Sequence, residues 1–307
     1  MENNNLVKIA AVVVTYNRKE LLKECLDSLL KQDHKLDAII IIDNASNDGT
    51  GEMLEKKYLN NSVFDYINLK ENLGGAGGFH YGIKRACEKG FDWIWCMDDD
   101  VVPQSNALQN MLNVSLDKKI GYLCSRVVGI NGESINTPVI DFRKNINMYP
   151  SWEENLNKSL VKVRFSTFVS VLLNRNIVNK VGLPFKEFFI WGDDTEYTSR
   201  ITNICPGYIV GNSIVVHKRK IQEPPEIFRE KDPVRIKNFF YKTRNVLFYK
   251  KKYSKQYFLP FSIIWELCIL LRCLVSFPYP LLKAKIVLKG LLFFFFFHPK
   301  IEFPKEK

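Results

Sequence analysis

Three consecutive acidic residues, Asp98 to Asp100, are the strongest chemical signal in the sequence. They follow the apolar run Trp93 to Met97, which is typical of a buried strand. Three adjacent carboxylates repel one another, and a divalent cation would relieve that repulsion. Carboxylate oxygens suit Mg²⁺ or Mn²⁺, which also bridge the phosphates of nucleotides. The alternative interpretation is a solvated acidic turn.

A second candidate ligand is His217, which ends the apolar run Ile214 to Val216. A single histidine is more often structural than metal-binding. At a strand end that shares a sheet edge with the acidic triplet, it becomes a candidate third ligand. Imidazole would favour Mn²⁺ somewhat over Mg²⁺.

A glycine-rich run, Gly74 to Gly78, follows Asn72 and leads into a predicted helix. It allows close backbone approach and offers free N–H groups at a helix N-terminus, which suits a sugar-phosphate ligand. It is not the dinucleotide fingerprint, because it follows the third strand and not the first. The alternative is a flexible loop.

An acid pair, Asp193-Asp194, comes shortly after Trp191 at a predicted helix start. One of the two carboxylates is suited to act as a general base for an alcohol, and the indole to stack on a sugar. The alternative is a helix cap. Asp43, after the second strand, is suited to accept hydrogen bonds from a base edge, although Asp is common at strand ends.

The elements that must position these groups alternate along the first hundred residues. We predict buried strands at 9–14, 38–42, 64–68 and 93–97, separated by helices. This order predicts an α/β fold with a doubly wound, mostly parallel sheet and helices on both faces. Ligands of such sheets lie beyond the carboxyl ends of the strands, where these polar and glycine-rich clusters fall. Further strands are predicted at 120–128, 165–173 and 208–216.

Composition and cysteine content limit the class of protein. The chain has 307 residues, of which 46% are hydrophobic and 25% charged, so it is globular and long enough for two domains. The seven cysteines are scattered without a C-x-x-C pair, which argues against a disulfide framework or a zinc site. The short polar N-terminus indicates no export signal, and we expect a cytoplasmic protein.

The net charge of +11 is concentrated at the C-terminal end. Residues 218–307 hold 20 Lys and Arg against 7 Asp and Glu, and residues 1–217 are nearly neutral. We therefore predict a catalytic domain at 1–222 and a basic, aromatic helical tail at 223–307. Uncharged runs within 257–297 are too short to span a bilayer, so we expect this tail to lie on an anionic membrane surface. Nucleic acid is a poor alternative partner, because runs such as Phe293 to Phe297 do not suit a phosphate-tracking groove.

Five motifs together resemble the family 2 glycosyltransferases of GT-A fold, over roughly residues 7–220 and in the family's order. They are Val12 to Arg18, Ile41 to Ser46, Asn72 to Gly75, Asp98 to Asp100 and Trp191 to Glu196. The glycine run, the full acidic triplet and the Asp-Asp-x-Glu-Tyr segment look most like bacterial galactofuranosyltransferases, with rhamnosyltransferases close behind. The large flanking domains of the polymerising relatives have no counterpart, so we expect addition of one or a few sugars.

The resemblance implies inverting transfer from a nucleotide-diphosphate sugar, with Asp194 as the catalytic base. It implies that Mn²⁺ or Mg²⁺ is held by Asp98, Asp100 and His217, and that the acceptor is bound by Trp191, Asp193 and Glu196. The implied donor-binding residues are Thr15, Tyr16, Arg18, Asp43, Asn44, Asn72, Gly74, Gly75 and Asp99.

The substrates are expected from the same resemblance. The favoured donor is UDP-galactofuranose, with dTDP-rhamnose or another UDP-hexose as alternatives. The expected acceptor is a lipid-linked oligosaccharide of cell-surface polysaccharide synthesis, at the inner face of the cell membrane. The sequence leaves open whether the protein forms a homo-oligomer, and a non-catalytic membrane scaffold that keeps the fold is a further alternative.

Overall fold

The computed structural model describes residues 7–114, 119–219, 225–253 and 258–305. Its strands are β1 Ile9–Thr15, β2 Ala38–Asp43, β3 Phe64–Asn68, β4 Trp93–Asp98, β5 Val101–Pro103, β6 Tyr122–Val128, β7 Val139–Ile140, β8 Leu160–Phe165, β9 Val171–Asn174 and β10 Gly207–His217. Its α-helices are α1 Lys19–Leu30, α2 Thr50–Lys57, α3 Gly74–Glu88, α4 Ala107–Leu112, α5 Arg175–Val181, α6 Asp193–Thr202, α7 Pro233–Tyr253, α8 Phe258–Cys273 and α9 Pro280–Phe294.

One mixed sheet joins the strands of the described residues in the order β3-β2-β1-β4-β9-β6-β10-β8-β7, with β5 paired to β10. The strands β1 to β4 are parallel, as the alternation of strands and helices predicts. β6 is parallel to β10, whereas β5, β8 and β9 pair antiparallel with their neighbours. The sheet is thus doubly wound in its first half and mixed in its second.

The two faces of β1 are buried against different helices. Its odd positions, Ile9, Ala11 and Val13, pack in one core with the apolar stripe of α1. Its even positions, Ala10, Val12 and Val14, pack in a second core with α3. Because successive side chains of a strand point to opposite faces, a continuously apolar strand needs a layer on each side. The predicted helices on both faces are confirmed.

Helix α3 approaches β1 closely because it carries glycine where the strand's side chains project. A Cβ atom on Gly78 would lie 2.3 Å from Val14 Cγ1, and one on Gly82 would lie 2.2 Å from Val12 Cγ1. Both distances are far inside van der Waals contact. The glycine run therefore sets the spacing between helix and sheet beside the carboxyl end of β1.

The strand predicted at 165–173 is wrong in its extent. The chain forms β8 up to Phe165 and a separate strand β9 from Val171, which lies between β4 and β6. Between them the N–H of Ser166 donates to Thr198 Oγ1, and the Ser170 hydroxyl accepts from Trp95 Nε1. The apolar run does not predict this break, because hydrophobicity alone does not show where a strand stops pairing with its neighbour.

The described residues form two compact units. The first comprises 7–114, 119–186, 194–219 and 301–305, and the second comprises 187–193, 225–253 and 258–300. The predicted boundary at 222 and 223 lies outside the described residues. Within the second unit α7, α8 and α9 enclose an apolar core of Ile236, Phe239, Leu247, Val287, Leu291 and neighbouring side chains. None of the helices in the described segments has the length and apolar character needed to cross a membrane.

We predict that Gly82→Ala destabilises the first unit by about 1–3 kcal/mol, since the new methyl group overlaps Val12 and forces α3 off the sheet. Gly75→Ala in the same helix is the matched control, because its new Cβ would meet no described atom within 4 Å apart from its chain neighbours and the adjoining backbone of α3. Denaturant unfolding monitored by circular dichroism measures both variants. Equal stabilities would contradict the close helix–sheet contact.

Candidate active site

The acidic triplet and His217 meet because of one short strand pairing. β4 ends at Asp98, and β5 begins at Val101, directly after the triplet. β5 runs antiparallel to the end of β10, with Val101 opposite His217. The N–H of Lys218 also donates to the carbonyl of Asp100 at 2.8 Å. The pairing thus places a histidine from residue 217 beside carboxylates from residues 98–100.

Asp98, Asp100 and His217 present one ligand atom each within 4.8 Å of one another. Oδ1 of Asp100 is buried, lies 3.0 Å from His217 Nε2 and receives no aligned hydrogen bond from the described part of the chain. The other imidazole nitrogen, Nδ1, lies 3.0 Å from Oδ1 of Asn136, so both ring nitrogens face a polar partner. A carboxylate oxygen and an imidazole nitrogen at that distance are joined either by a proton or by a metal ion that binds both. The three residues therefore fit a divalent metal ion.

The pKa values of the three aspartates reflect their burial and the repulsion between their negative charges. Burial, with the charge of Asp100 next, raises the pKa of Asp98 to about 6. The charge of Asp194 also contributes to this rise, so its carboxylate lies within electrostatic range of Asp98. Burial raises the pKa of Asp99 to about 7 even though Arg18 opposes it. Burial acts on Asp100 in the same direction, but His217 and Arg18 outweigh it and lower its pKa. Such a site favours added positive charge.

Two predicted donor-binding residues at the end of β1 contact the triplet. The hydroxyl of Thr15 donates to Asp99 Oδ2 at 2.7 Å. Nη1 of Arg18 bridges Asp99 and Asp100, at 3.1 and 2.9 Å, while about half of its side chain stays exposed. Tyr16 between them is also exposed, at 44%. Arg18 and Thr15 hold Asp99 in place, and the ring of Tyr16 is open to a ligand.

The donor-binding residues predicted after β2 and β3 form hydrogen bonds within the fold. Asp43 is buried and accepts hydrogen bonds from the N–H of Ser46 and the hydroxyl of Tyr66. The amide of Asn44 donates to the carbonyl of Gly74 and accepts from the N–H of Leu73. These contacts fasten the segment between β3 and α3 to the end of β2.

The glycine run is the first turn of α3 and not a loop. The N–H of Gly74, which has φ +70°, donates to Asn72 Oδ1. Apart from its chain neighbours and the adjoining backbone of α3, a Cβ atom on Gly75 would have no described atom within 4 Å, whereas Gly77 and Gly78 are packed against Leu73 and Val14. Gly75 thus faces open space, and a ligand can approach the backbone of the run at this position.

The segment that carries Trp191, residues 187–193, is strained and well packed; we refer to it as the Trp191 loop. Phe189 and Trp191 both have φ of +63°, and Gly192 has φ of +90°. A positive φ costs a non-glycine residue about 1–2 kcal/mol, so the surrounding contacts must enforce it. The Trp191 ring packs on Phe239 of α7, with ring centres 4.9 Å apart.

Asp193, the last residue of this loop, and Asp194 form the start of α6. Asp193 is buried, and Asp194 is partly exposed. Oδ1 of Asp194 accepts from the N–H of Thr195 at 2.6 Å, and burial raises the pKa of this carboxyl above its ordinary value. A carboxylate whose pKa is raised is a stronger base than an ordinary aspartate.

The prediction that Glu196 binds the acceptor is corrected by the structure. Its carboxylate is fully buried and forms an ion pair of 2.6 Å with Arg200, one helical turn further along α6. Arg200 in turn donates to the carbonyls of Val181 and Leu183. Glu196 therefore belongs to a buried structural network, and its place beside the acid pair in the sequence does not bring it to a ligand.

Sequence reasoning missed Asn136, which holds the imidazole of His217. Asn136 stands in an irregular segment and has φ of +48°. A polar loop residue of this kind carries no spacing signal, because its contact depends on a partner 81 residues away.

The comparison with known families decides the classification of the chain. The family model described as Glycosyl transferase family 2 matches residues 10–182, which is more than half of the sequence. The chain belongs to glycosyltransferase family 2. The matched region contains the triplet and every predicted donor-binding residue, and the resemblance inferred from the motifs is confirmed.

Individual relatives of this family 2 chain agree with that assignment. Galactofuranosyltransferase GlfT1 of Mycolicibacterium smegmatis is 29% identical over 198 residues, which cover 63% of this chain and 65% of that protein. Slightly less than two thirds of the relative's length is therefore matched.

Solved structures share the fold at low sequence identity. S. aureus TarS 1-349 in complex with UDP-GlcNAc has a TM-score of 0.60 at 14% identity, with coverage of 94% of this chain and 81% of that chain. The mannosyltransferase PcManGT from Pyrobaculum calidifontis, in complex with GDP-Man and Mn²⁺, has a TM-score of 0.54 at 13% identity, with coverage of 94% and 87%. These likenesses establish the GT-A fold of the family 2 chain.

We predict that Mn²⁺ raises the melting temperature of this protein, because a bound cation relieves repulsion that exists only in the folded state. At a concentration of 100 times its dissociation constant the ion would add about 2.7 kcal/mol of stability. Asp100→Asn should abolish the shift, and Asp92→Asn, just before the other end of β4, should keep it. Differential scanning fluorimetry measures all three proteins, and an unchanged shift in Asp100→Asn would refute the site.

Proposed function

We propose that this protein is an inverting, metal-dependent glycosyltransferase that uses a nucleotide-diphosphate sugar. The observation that best supports this function is the meeting of Asp98, Asp100 and His217 at one point of the sheet edge, within electrostatic range of Asp194. Displacement at an anomeric carbon needs charge stabilisation of the departing diphosphate on one side and a base on the other. The proposed metal ligands would serve the first need and Asp194 the second.

The donor would bind beyond the carboxyl ends of β1, β2 and β4. The exposed ring of Tyr16 is suited to stack on the base, and Asp43, which is buried and hydrogen-bonded to Ser46 and Tyr66, would hold the end of β2 beneath it. Thr15 and Arg18 fix Asp99, which would face the sugar, and the free face of Gly75 would let a ligand approach the backbone. Mn²⁺ or Mg²⁺ held by Asp98, Asp100 and His217 would neutralise charge on the diphosphate.

The chemical step is a single displacement. The carboxylate of Asp194 accepts the proton of an acceptor hydroxyl, and the oxygen of that hydroxyl forms a bond to the anomeric carbon. The bond from this carbon to the diphosphate oxygen breaks, and its electron pair leaves with the nucleoside diphosphate. Attack opposite to the leaving group inverts the anomeric configuration. Trp191 and Asp193 precede the base in sequence and are suited to bind the acceptor.

UDP-galactofuranose is the donor that we favour. The supporting observations are the 29% identity to a galactofuranosyltransferase and the glycine run, acidic triplet and Asp-Asp-x-Glu-Tyr segment that resemble that group. Rhamnosyltransferases share much of the same pattern, so dTDP-rhamnose is the second candidate, and other UDP-hexoses follow.

The acceptor that we propose is a lipid-linked glycan at the inner surface of the cell membrane. The second unit supports this part of the proposal, because α8 and the turn after it expose apolar side chains at helical spacing, namely Phe261, Ile264, Trp265, Cys268, Leu271 and Val275. Phe277 and Phe296 are more than three quarters exposed as well.

Positive charge accompanies this apolar surface. Lys285 and Lys289 are exposed on α9, and Arg272 is exposed near the end of α8. Aromatic side chains enter the boundary between headgroups and acyl chains, and nearby cations bind anionic headgroups. A lipid surface is therefore the partner whose chemistry fits both features, and it would hold the enzyme where lipid-linked acceptors lie.

We predict that purified protein releases nucleoside diphosphate from UDP-galactofuranose in the presence of Mn²⁺ and a lipid-linked glycan. Turnover should fall sharply with a chelator. The screen includes dTDP-rhamnose and UDP-galactose in parallel, and chromatography of labelled acceptor detects the product. Preference for dTDP-rhamnose would overturn the favoured donor, and no turnover with any sugar nucleotide would overturn the proposed function.

Asp194→Asn should lower kcat by about 10²–10⁴-fold, because the amide cannot accept the acceptor's proton. The stabilisation by Mn²⁺ should remain, since the metal ligands are unchanged. In the unaltered enzyme the rate should fall as pH drops through the raised pKa of Asp194, where the base becomes protonated. Normal rates in the variant would exclude Asp194 as the base.

We predict that Trp265→Ser combined with Phe261→Ser lowers binding to vesicles that contain anionic lipid by at least about tenfold, because two large apolar groups no longer enter the bilayer. Tyr149→Ser is the matched control, since Tyr149 is an exposed aromatic residue of the first unit. Vesicle sedimentation measures binding, and light scattering measures oligomeric state. A change in oligomeric state without a change in vesicle binding would contradict the membrane contact.

A further inference from the structure

The Trp191 loop holds an unfavourable backbone conformation immediately before the proposed base. Phe189, Trp191 and Gly192 all have positive φ, and the next residues, Asp193 and Asp194, begin α6. A chain segment left to itself would abandon such a conformation. Some interaction within the fold must therefore enforce it.

Asn245 supplies that interaction from the interior of α7. Its amide nitrogen donates to the carbonyl oxygens of Phe188 at 3.0 Å, Ile190 at 3.2 Å and Trp191 at 2.8 Å. Three carbonyls converge on one NH₂ group, so the nitrogen position follows from the chemistry of its partners. The Cβ atom of Asn245 also lies 3.5 Å from the position of a Cβ on Gly192.

The other end of the Asn245 amide is fixed as well. Its oxygen accepts from Nε and Nη2 of Arg244 at 3.1 and 2.9 Å, and Nη2 of Arg244 also donates to the carbonyl of Glu187 at 2.6 Å. Asn245 is completely buried. Asparagine is a poor helix former. At position 245 its side chain binds the Trp191 loop and Arg244, which also donates a hydrogen bond to that loop.

Aromatic contacts with α7 align the side chains of the same loop. The ring of Phe189 stacks on Tyr241 at 4.6 Å, and Trp191 packs on Phe239 at 4.9 Å. These contacts orient the rings, but the directions of the backbone carbonyls in a strained segment depend on hydrogen bonds. Asn245 donates to three of these carbonyls.

We propose that Asn245 is a positioning residue for acceptor transfer: its amide fixes the backbone of the Trp191 loop and thereby orients Trp191 and Asp193, the residues proposed to bind the acceptor. This inference rests on the proposed function, because it assigns the acceptor side of the reaction to the loop and the base. It gives α7 a part in acceptor binding besides the proposed membrane contact of the second unit.

The decisive variant is Asn245→Asp, which keeps the size of the side chain and the acceptor for Arg244 but replaces the NH₂ donor with an oxygen that repels the three carbonyls. We expect kcat to fall by roughly tenfold to a hundredfold and the acceptor KM to rise, because misplacement of reacting groups by about 1 Å has effects of this size. The donor KM and the Mn²⁺-dependent thermal shift should stay within about twofold of the unaltered enzyme, since the metal and donor residues are elsewhere in the chain.

Asn238→Asp is the matched control, because Asn238 is a partly exposed asparagine of the same helix. It should leave all kinetic constants unchanged. Asn245→Ala removes the donor without adding repulsion and should show a smaller loss of kcat in the same direction. It also carries the test if Asn245→Asp does not fold.

The outcomes separate this inference from the proposed function. Kinetics of the Asn245 variants equal to those of Asn238→Asp would overturn the positioning role while the function stands. An equal loss of donor affinity, acceptor affinity and metal response would also overturn it, because that pattern indicates general destabilisation. If the unaltered enzyme turns over no sugar nucleotide, the proposed function itself fails.

Discussion

Repulsion among buried carboxylates is the interaction on which the candidate site depends. Asp98 and Asp99 have raised pKa values because burial and neighbouring negative charge both oppose their ionisation. The protein offsets part of this with Thr15, Arg18 and His217. The negative charge that remains makes the end of β4 a candidate cation site, and a cation there would suit a ligand that carries phosphate. The electrostatic cost of the fold and the proposed function thus have one origin.

The sheet departs from a simple doubly wound topology, and this departure brings a histidine to the acidic triplet. Four parallel strands align polar residues at one edge, but a parallel sheet alone would leave His217 without a neighbour there. The three-residue strand β5 turns back after the triplet and pairs antiparallel with β10, which brings His217 opposite Val101. The mixed second half of the sheet therefore brings the three candidate metal ligands together, since it combines two distant parts of the chain.

The C-terminal helices combine two kinds of surface in one small unit. One side of α8 exposes apolar residues that suit a lipid surface, whereas α7 buries Asn245 and Arg244 against the Trp191 loop. The two roles require different chemistry. Lipid contact needs exposed rings and mobile cations, and the loop needs fixed hydrogen-bond donors in a dry environment. Their presence on neighbouring helices means that loss of the tail would remove both at once.

The sequence by itself determined the family, the alternation of β1 to β4 with helices and the identity of the triplet, because apolar period and short motifs are local properties. It also marked His217 and Asp194 as candidates. Only the tertiary structure decided that β8 and β9 are separate strands, that Glu196 is buried with Arg200 and that Asn136 holds His217. It likewise decided that Asn245 binds the Trp191 loop. Such contacts join residues far apart in sequence, and their partners are set by the packing of the whole sheet and helices, which no local pattern encodes.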